Sequence, residues 1–480
     1  MNGEPRDEVT RWLPVARWEL LTLLGLLVLG SLLRLRVCWD WVFAGSDTYG
    51  YLALADELHA HGRLAMGADG DLAWWRPPLY AIFLAAVKQG AAAPASYPMA
   101  LGWKRVEAVQ AFLDVFGTGL LLWAMTRRLA GRVAGLVAHA LWMVFPVTLV
   151  FVAAVLTESL AMCLTVTAVA PLLLLPSRPR LALLLFGAAV GLSLLLRTDG
   201  ILLAVAGVPF VLAQQTWRRR FQGGALAFGA FLLVIAPWAV RNQVHFGTPH
   251  LLGSHLDRYS RPVRHHEGFW RWLRSWAPSW QPLSYPQSCF YDLRCPFSIA
   301  AAGLERLHAF SDFDDRADVQ RLAEQRMTEG LSESVSQGFA TLAEHRRAHA
   351  PVKVMLLYPL SRSFRMWFAP HDEILAARQW RPWPQVTAWL LPLFPHLVAL
   401  LLLATVAGGL AMLRNRPQRM SALILLLPVL TRTFVLPYFG YAMPRYAVEA
   451  MVLCIVVCAA GNAQWSFRFR SRSPIASPKR

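Results

Sequence analysis

WELLTLLGLLVLGSLL, residues 18–33, is an apolar run that is almost free of charge. The wider block 16–37 is long enough to cross a bilayer, which takes about 20 helical residues. Arg11 and Arg17 precede the run, but no small-residue cleavage site follows it. We therefore expect a membrane span that stays attached rather than a signal peptide.

Similar blocks recur through the 480-residue chain, which is 56% hydrophobic and only 16% charged. A soluble domain carries about a quarter charged residues. The sequence predicts an all-α polytopic membrane protein with about ten transmembrane helices. The predicted blocks are residues 16–37, 105–125, 132–152, 156–175, 180–196, 200–215, 222–240, 385–413, 420–437 and 443–462.

The formal net charge of +18 lies mostly in short basic clusters between these blocks. With the N-terminus inside, alternating spans place every such cluster on one face, as the positive-inside rule requires. Both termini are then cytoplasmic, and contact with anionic lipid explains the charge better than nucleic acid does. The clusters are Arg127, Arg128 and Arg132; Arg178 and Arg180; Arg218 to Arg220; Arg414, Arg416 and Arg419; and the C-terminal tail.

Two long segments then face outside, and the first contains GSDTYGYLALADEL (residues 45–58). Asp47 is its first acidic residue, and a carboxylate at the membrane boundary can act as a general base on a hydroxyl or an amine. An N-cap of the following helix is the simpler reading. The second segment contains FWRWLRSWAPSW (269–280), a mixture typical of membrane interfaces, and a polar helical stretch at 309–347.

Charged residues at the span ends are costly and therefore either paired or functional. Most are arginines, and a guanidinium matches phosphate oxygens bidentately. Simple pairing within Arg197–Asp199 and Arg445–Glu449 is the alternative. The arginines expected on the outer face are Arg34, Arg36, Arg76, Arg197, Arg241 and Arg445, with Glu158 beside them.

Metal and disulfide chemistry have weaker signals. His265 to Glu267 and His371 to Glu373 lack the spacing of a known metal site, so solvated loop residues are expected. Cys289 and Cys295 share one aqueous segment and can form a disulfide if it lies outside the cytoplasm. Two free thiols are the alternative.

Six segments in this order resemble the GT-C class of polyprenyl-phosphate-sugar-dependent glycosyltransferases, which includes protein O-mannosyltransferases and lipid A aminoarabinose transferases. The segments are Asp47 with Tyr51, RPPLY (Arg76 to Tyr80), TES (Thr157 to Ser159), the Arg197 segment, PWAVRN (Pro237 to Asn242) and the pair Arg445 and Tyr446.

The resemblance implies a membrane bundle with juxtamembrane helices in the first outer loop and a lipid-linked sugar as donor. It implies Asp47 as catalytic base. The convergence of arginines on the outer face leads us to expect some of the six to bind the donor phosphate, with Tyr51, Tyr80, Glu158 and Tyr446 in support. Many members carry an Asp-Glu pair where this chain has Asp47 and Thr48, so a divalent metal is not indicated. The predicted organisation is a cytoplasmic N-terminus (1–15), a transmembrane catalytic module (16–240) with outer loop 38–103, an outer region (241–384), C-terminal spans (385–462) and a disordered tail (463–480).

The sequence thus predicts an inverting glycosyltransferase that acts on the outer face of a membrane, with a bacterial inner membrane as the expected location. The acceptor can be a glycan, a lipid or a protein, and nucleic acid is not expected as a partner. A transporter or lipid flippase is the first alternative, but the charges cluster at one face and no repeat is evident. A non-catalytic lipid-binding subunit with the same fold is the second alternative.

Overall fold

The computed structural model is almost entirely helical. It describes residues 14–40, 46–66, 71–72, 76–88, 101–247, 267–278, 304–305, 309–310, 313–330, 332–369, 384–439 and 442–470. Within these ranges the only strands are a two-residue antiparallel pair, β1 (Ala65–Met66) and β2 (Asp71–Leu72).

The helices before residue 250 form the first part of the bundle. Two irregular turns interrupt them, a π-helical turn at Leu113–Gly119 and a 3₁₀ segment at Thr198–Ala206. The α-helices are α1 (Arg17–Asp40), α2 (Ser46–His61), α3 (Leu79–Lys88), α4 (Leu101–Phe112), α5 (Leu120–Ala130), α6 (Arg132–Val144), α7 (Pro146–Val152), α8 (Glu158–Leu174), α9 (Pro179–Leu196), α10 (Gly207–Leu212) and α11 (Trp217–Phe246).

The later helices form two groups. The first three, between residues 267 and 349, make up a unit that we call the polar unit, and the others include the last spans. A π-helical turn at Lys353–Leu357 and 3₁₀ turns at Arg416–Gln418 and Pro444–Ala447 lie among them. The α-helices are α12 (Glu267–Arg274), α13 (Arg316–Glu329), α14 (Glu333–His349), α15 (Tyr358–Phe368), α16 (Pro384–Arg414), α17 (Arg419–Phe439) and α18 (Val448–Arg470).

Seven helices in the described part are long and apolar enough to cross a membrane, and three shorter apolar helices accompany them. Together they match the ten predicted blocks one to one, so the predicted all-α polytopic membrane fold is confirmed. The seven are Arg17–Trp39, Lys104–Ala130, Pro179–Leu196, Trp217–Phe246, Pro392–Arg414, Arg416–Tyr438 and Pro444–Ala463, and the three are Arg132–Val144, Glu158–Leu174 and Thr198–Leu212.

The last span is the centre of the bundle, with 78% of its apolar window buried. It packs against α5, α6, α8, α16 and α17. Two glycines allow the closest approach, because a Cβ at Gly461 would lie 2.2 Å from the Cα of Gly408 on α16. Small residues allow helices to pack closely where lipid provides no hydrophobic drive for association.

Contacts between turns show which ends of the spans share a side. The Nε of Arg127, in the last turn of α5, donates to Glu19 at the start of α1 over 2.5 Å. The Nε2 of Gln418, before α17, donates to the carbonyl of Leu129 over 2.7 Å. These basic turns therefore lie at one end of the bundle, as the alternation predicts. We call the opposite end the site side; its identity with the outer face stays a prediction.

The segment after α11 folds into a helical unit with a core of its own. Phe269 and Trp272 of α12 pack against Phe339 of α14. A Cβ at Gly268 would lie 1.7 Å from the carbonyl oxygen of Ser336, so α12 and α14 touch through their backbones. Phe269, Trp272 and Trp276 of this stretch thus fill the core, whereas the sequence led us to expect them at a lipid interface.

Candidate functional site

The carboxylate of Asp47 lies between two arginines. Asp47 is in the first turn of α2, on the site side just after the first span. Its Oδ1 accepts a hydrogen bond from Arg76 Nη2 over 2.9 Å, and its Oδ2 accepts one from Arg445 Nη2 over 2.7 Å. The side chain is still 27% exposed. Asp47 therefore joins two distant parts of the chain and stays within reach of a bound molecule.

Aromatic rings hold Arg76 in place beside Asp47. The guanidinium carbon lies 4.4 Å from the centre of the Tyr51 ring, a cation–π distance. Tyr51 meets the edge of Tyr80 at 5.0 Å between ring centres. The hydroxyl of Tyr80 donates to Gln110 Oε1 over 2.9 Å, which anchors α3 to α4. Two of the three tyrosines predicted as supporting residues, Tyr51 and Tyr80, thus pack beneath the arginine.

Gly50 leaves the space that the Arg76 guanidinium occupies. A Cβ at Gly50 would lie 3.1 Å from Arg76 Nε and 3.2 Å from its Nη2. Gly50 is one turn after Asp47 on α2, so the helix surface beside the carboxylate has to be bare. A side chain there would displace a guanidinium that Asp47 and Tyr51 already position.

Arg197, at the end of α9, contacts three carboxylates. Its Nη1 donates to Glu158 Oε1 over 2.9 Å, and its Nε lies 3.1 Å from Asp199 Oδ1 and 3.2 Å from Glu449 Oε1. Arg445 Nε lies 3.6 Å from the same oxygen of Glu158. Glu158 therefore links Arg197 to the arginine that binds Asp47.

Arg432 completes this network, and sequence reasoning missed it. Its Nη1 donates to Asp199 Oδ2 and its Nη2 to Glu449 Oε2, each over 2.6 Å. Its Nη1 also donates to the carbonyl of Tyr446 over 3.2 Å. An arginine inside the apolar block 420–437 was the available signal, because a charge in a span is rarely without a partner or a function.

The result is a continuous, charge-balanced network at the site side. Each carboxylate touches at least one guanidinium, as partly or fully buried charges require. Tyr446 lies among them, its ring centre 4.6 Å from the Arg197 guanidinium carbon and 5.7 Å from that of Arg445. The carboxylates are Asp47, Glu158, Asp199 and Glu449, and the guanidiniums are Arg76, Arg197, Arg432 and Arg445.

Two buried atoms of this network have no hydrogen-bond partner among the described residues. They are Nε of Arg445, a donor, and Oε2 of Glu158, an acceptor. A buried polar atom without a partner is costly, so such atoms mark positions that water or a ligand can satisfy. A positively charged donor and a negatively charged acceptor are therefore available to a ligand in the network that contains the partly exposed Asp47 carboxylate.

Arg241 lies elsewhere and differs from the network arginines. Its Nη2 donates to the carbonyl of Leu64, just after α2, and its Nη1 to Asn242 Oδ1. Its guanidinium carbon lies 4.7 Å from the ring centre of Trp238. Its contacts in the described part of the chain include no carboxylate. The contact with Leu64 places this uncompensated charge on the site side.

Arg34 is placed in a different environment from the one the sequence suggested. It is fully buried, and its guanidinium lies 2.6 Å from Asp114 Oδ2 in the π-helical turn. It also donates to the carbonyls of Trp142 and Met143 on α6. These contacts hold spans together and none reaches Asp47. Arg36, two residues later, is exposed at the end of α1.

Charge and burial set the protonation states of Asp47 and Tyr51 on the site side. Burial would raise the pKa of the Asp47 carboxyl, but the charges and hydrogen bonds of Arg445 and Arg76 lower that pKa well below its ordinary value. Burial, by contrast, raises the pKa of the Tyr51 hydroxyl. Asp47 is therefore a carboxylate and Tyr51 a neutral phenol across the physiological range.

Metal and disulfide predictions fall largely outside the described residues. Among the residues that are described, no group of three His, Cys, Asp or Glu side chains could hold a metal ion. Glu267 pairs with Arg271 on the surface of α12. His265, His266, His371, Asp372, Glu373, Cys289 and Cys295 lie outside the described residues.

Part of the chain matches a known family. Residues 108–240 match the model of a family described as dolichyl-phosphate-mannose-protein mannosyltransferase. The matched segment is less than half of the chain, contains Glu158 and Arg197, and ends just before Arg241. The predicted resemblance to the GT-C class is confirmed by this match, which supports a glycosyltransferase. No curated protein sequence matches the chain.

Solved structures with a similar chain path include those of AglB and ArnT. The Archaeoglobus fulgidus oligosaccharyltransferase AglB, in complex with an inhibitory peptide and a dolichol-phosphate, is 16% identical, with a TM-score of 0.48 over 96% of this chain and 52% of that one. ArnT from Cupriavidus metallidurans, bound to undecaprenyl phosphate, is 15% identical, with a TM-score of 0.38 over 93% and 77%. The chain spans about half the length of the archaeal enzyme. At these values the likeness bears on neither substrate nor site.

Proposed function

We propose that the chain is a membrane glycosyltransferase that moves a sugar from a polyprenyl-phosphate donor to an acceptor on the outer face of the membrane. The observation that carries the proposal is the partly exposed Asp47 carboxylate held between Arg76 and Arg445. It brings together a group that can take a proton and groups that can bind a phosphate. Each is needed where a hydroxyl or amine displaces a phosphate from a sugar.

The donor phosphate is assigned to the site-side arginines. Arg445 offers its unbonded Nε, and Arg241 offers a charge that no carboxylate in the described part balances. The Oε2 of Glu158 is free to accept a hydrogen bond from a sugar hydroxyl. Arg76 and Arg197 already bind carboxylates, so their contribution is positive electrostatic potential around the leaving phosphate. Arg34 and Arg36 were predicted to join them, but the contacts described above give Arg34 no path to the phosphate.

The reaction is a direct displacement. The acceptor oxygen or nitrogen forms a bond to the anomeric carbon as its proton passes to Asp47, and the bond from that carbon to the phosphate oxygen breaks. Polyprenyl phosphate leaves with the electron pair, and its charge is stabilised by the arginines, the larger catalytic contribution. Attack opposite the leaving group inverts the anomeric centre. The protonated Asp47 then gives its proton to solvent.

Donor binding improves Asp47 as a base. In the free protein both neighbouring arginines hold its pKa low, which makes it a weak base. A phosphate bound to Arg445 compensates the positive charge of that guanidinium and adds negative charge near Asp47. Each change raises the pKa of the Asp47 carboxyl. The base is therefore strengthened when the donor is in place.

An assay with radiolabelled polyprenyl-phosphate sugars tests the proposal. Purified protein in proteoliposomes should release or transfer the sugar, and Asp47→Asn should abolish this while still binding the lipid. Movement of the lipid between leaflets without sugar release would indicate a flippase instead. Binding without either activity would indicate a lipid-binding subunit. The bacterial inner-membrane location stays a prediction.

A further inference from the structure

A single helix between the polar unit and the last spans exposes an apolar ridge. This juxtamembrane helix, residues 351–368, consists of the π-helical turn Lys353–Leu357 and α15 with the two residues before them. Phe364 is 63% exposed, the largest value on the helix. The exposed apolar side chains are Val352, Met355, Leu356, Leu357, Leu360 and Phe364. A soluble surface seldom carries such a continuous patch without a partner.

The opposite face of the same helix is fixed to the last spans. Ser363 Oγ donates to the carbonyl of Thr433 over 2.8 Å, and Trp367 Nε1 donates to Thr433 Oγ1 over 3.1 Å. The hydroxyl of Tyr438 donates to the carbonyl of Met355. The juxtamembrane helix therefore runs along α17, with its C-terminal end beside Thr433 and its N-terminal end beside Tyr438.

These anchor points place the ridge at membrane depth. Tyr438 is the last residue of its apolar span, and Thr433 lies five positions earlier, which is about 7.5 Å deeper at 1.5 Å per residue. Phe364 follows Ser363 directly. On α17 itself, Leu430 and Phe434 are about half exposed, as lipid-facing residues of a span are. The ridge continues that lipid-facing surface.

We propose that residues 351–368 are embedded in the leaflet on the site side, with the ridge among lipid acyl chains. Lys353 and Arg365, both exposed, flank the ridge and can extend to the head groups. Arg362, on the buried face, donates to the carbonyls of Arg274 and Ala277 at the end of α12. The embedded helix therefore anchors the polar helical unit to the membrane. This inference is independent of the proposed glycosyl transfer.

Photo-crosslinking of the wild-type protein tests the embedding without any substitution. The protein is placed in nanodiscs that contain phosphatidylcholine with a diazirine at the end of an acyl chain. After illumination, mass spectrometry should find lipid adducts on residues 352–364 and on the lipid-facing part of α17. The surface of α14 in the polar unit should carry none. Absence of adducts from 352–364, with adducts present on α17, would overturn the proposal.

Spin labels give a second measurement. Leu360→Cys and Phe364→Cys are labelled in a full-length variant whose native cysteines are replaced by serine or alanine, with Gln337→Cys on α14 as the matched control. We expect labels at 360 and 364 to collide with oxygen but to lose collisions with a water-soluble nickel chelate. Equal chelate collisions at 337 and 360 would contradict membrane contact. Dipolar broadening at 360 would show that a second copy covers the ridge instead of lipid.

Discussion

Arg445 Nη2 lies 2.7 Å from Asp47 Oδ2, although the two residues are 398 positions apart in the chain. The first outer helix and the start of the last span therefore meet at one carboxylate. Since Arg76 holds the other oxygen, Asp47 is the point where three separate parts of the chain converge.

Replacement of the carboxylate should remove activity and keep the fold. Asp47→Asn preserves size, and its amide oxygen can still accept a hydrogen bond from one of the two arginines, but it cannot accept the acceptor's proton. We expect the transfer rate to fall by about 10²- to 10⁴-fold, the usual contribution of a general base. The measurement is sugar transfer from a radiolabelled donor. Glu57→Gln, which alters an ion pair between the same helix and Arg63 just after it, is the matched control and should keep full activity. A near wild-type rate for Asp47→Asn would rule out the base assignment.

The same carboxylate should give a stability signal at acid pH only. The folded pKa of Asp47 lies below its unfolded value of about 3.9, so its contribution to stability is complete above that value and is lost as pH falls through the folded pKa. We expect the difference in unfolding temperature between wild type and Asp47→Asn to be constant from about pH 5 to 8 and to shrink below about pH 4. Thermal unfolding in detergent measures it. A difference that changes chiefly near neutral pH would mean that Asp47 is not held as a carboxylate.

A substitution at Gly50 should affect the position of Arg76 without lowering the stability of the protein. Gly50→Ala favours the helix by up to about 1 kcal/mol, but its Cβ would press on the Arg76 guanidinium. We expect unchanged or higher thermal stability together with weaker transfer, because Arg76 is displaced from Asp47. Gly62→Ala is not a suitable control, since Gly62 has a positive φ of 67°. Gly25→Ala is suitable, because a Cβ there meets nothing within 4 Å. Full activity of Gly50→Ala would show that the arginine adjusts without consequence.

Arg432 should be a stability residue whose loss also disturbs the site. Arg432→Gln leaves Asp199 and Glu449 short of a buried partner, and breaking a buried ion pair costs about 3–5 kcal/mol. A double-mutant cycle with Glu449→Gln measures the coupling, because the second change removes the charge left unpaired. We expect the double variant to be more stable than Arg432→Gln alone. Additive losses would mean that the two side chains do not interact as the structure shows.

The sequence predicted the spans well because span length and basic turns are local properties. The block boundaries and the sidedness of the turns follow from hydropathy and charge alone. The pairing of charges is not local. Arg445 and Glu449 are one turn apart, and their pairing was the alternative interpretation, yet Arg445 binds Asp47 while Glu449 binds Arg432 and Arg197.

The polar unit shows a second limit. The polar stretch at 309–347, which contains few helix breakers, indicated a helix. The structure has two helices there, α13 and α14, and α13 ends before Gly330, a residue with positive φ. The Trp-rich stretch at 269–280 suggested lipid contact, but Trp272 is fully buried against Phe339. Amphipathic composition shows that one face needs cover, but not whether lipid or another helix provides it.

Arg34 and Arg241 were predicted for the same task, and the structure gives them opposite surroundings. Arg34 is fully buried with Asp114 as partner, whereas Arg241 has no carboxylate partner in the described part of the chain. Arg241→Gln should therefore weaken donor use by about 10- to 100-fold, the range for one charge-assisted hydrogen bond. Its thermal stability should change little.

Arg34→Gln should do the reverse, because it leaves Asp114 unpaired inside the membrane. We expect a loss of thermal stability of about 3–5 kcal/mol, with an unchanged KM for the donor in the protein that stays folded. The double variant Arg34→Met with Asp114→Leu removes both charges and should recover stability and transfer together. Donor KM and unfolding temperature, measured on all three variants, separate the two roles. A raised KM in the double variant would support the original prediction that Arg34 binds the donor phosphate, since its charge would then act on the donor.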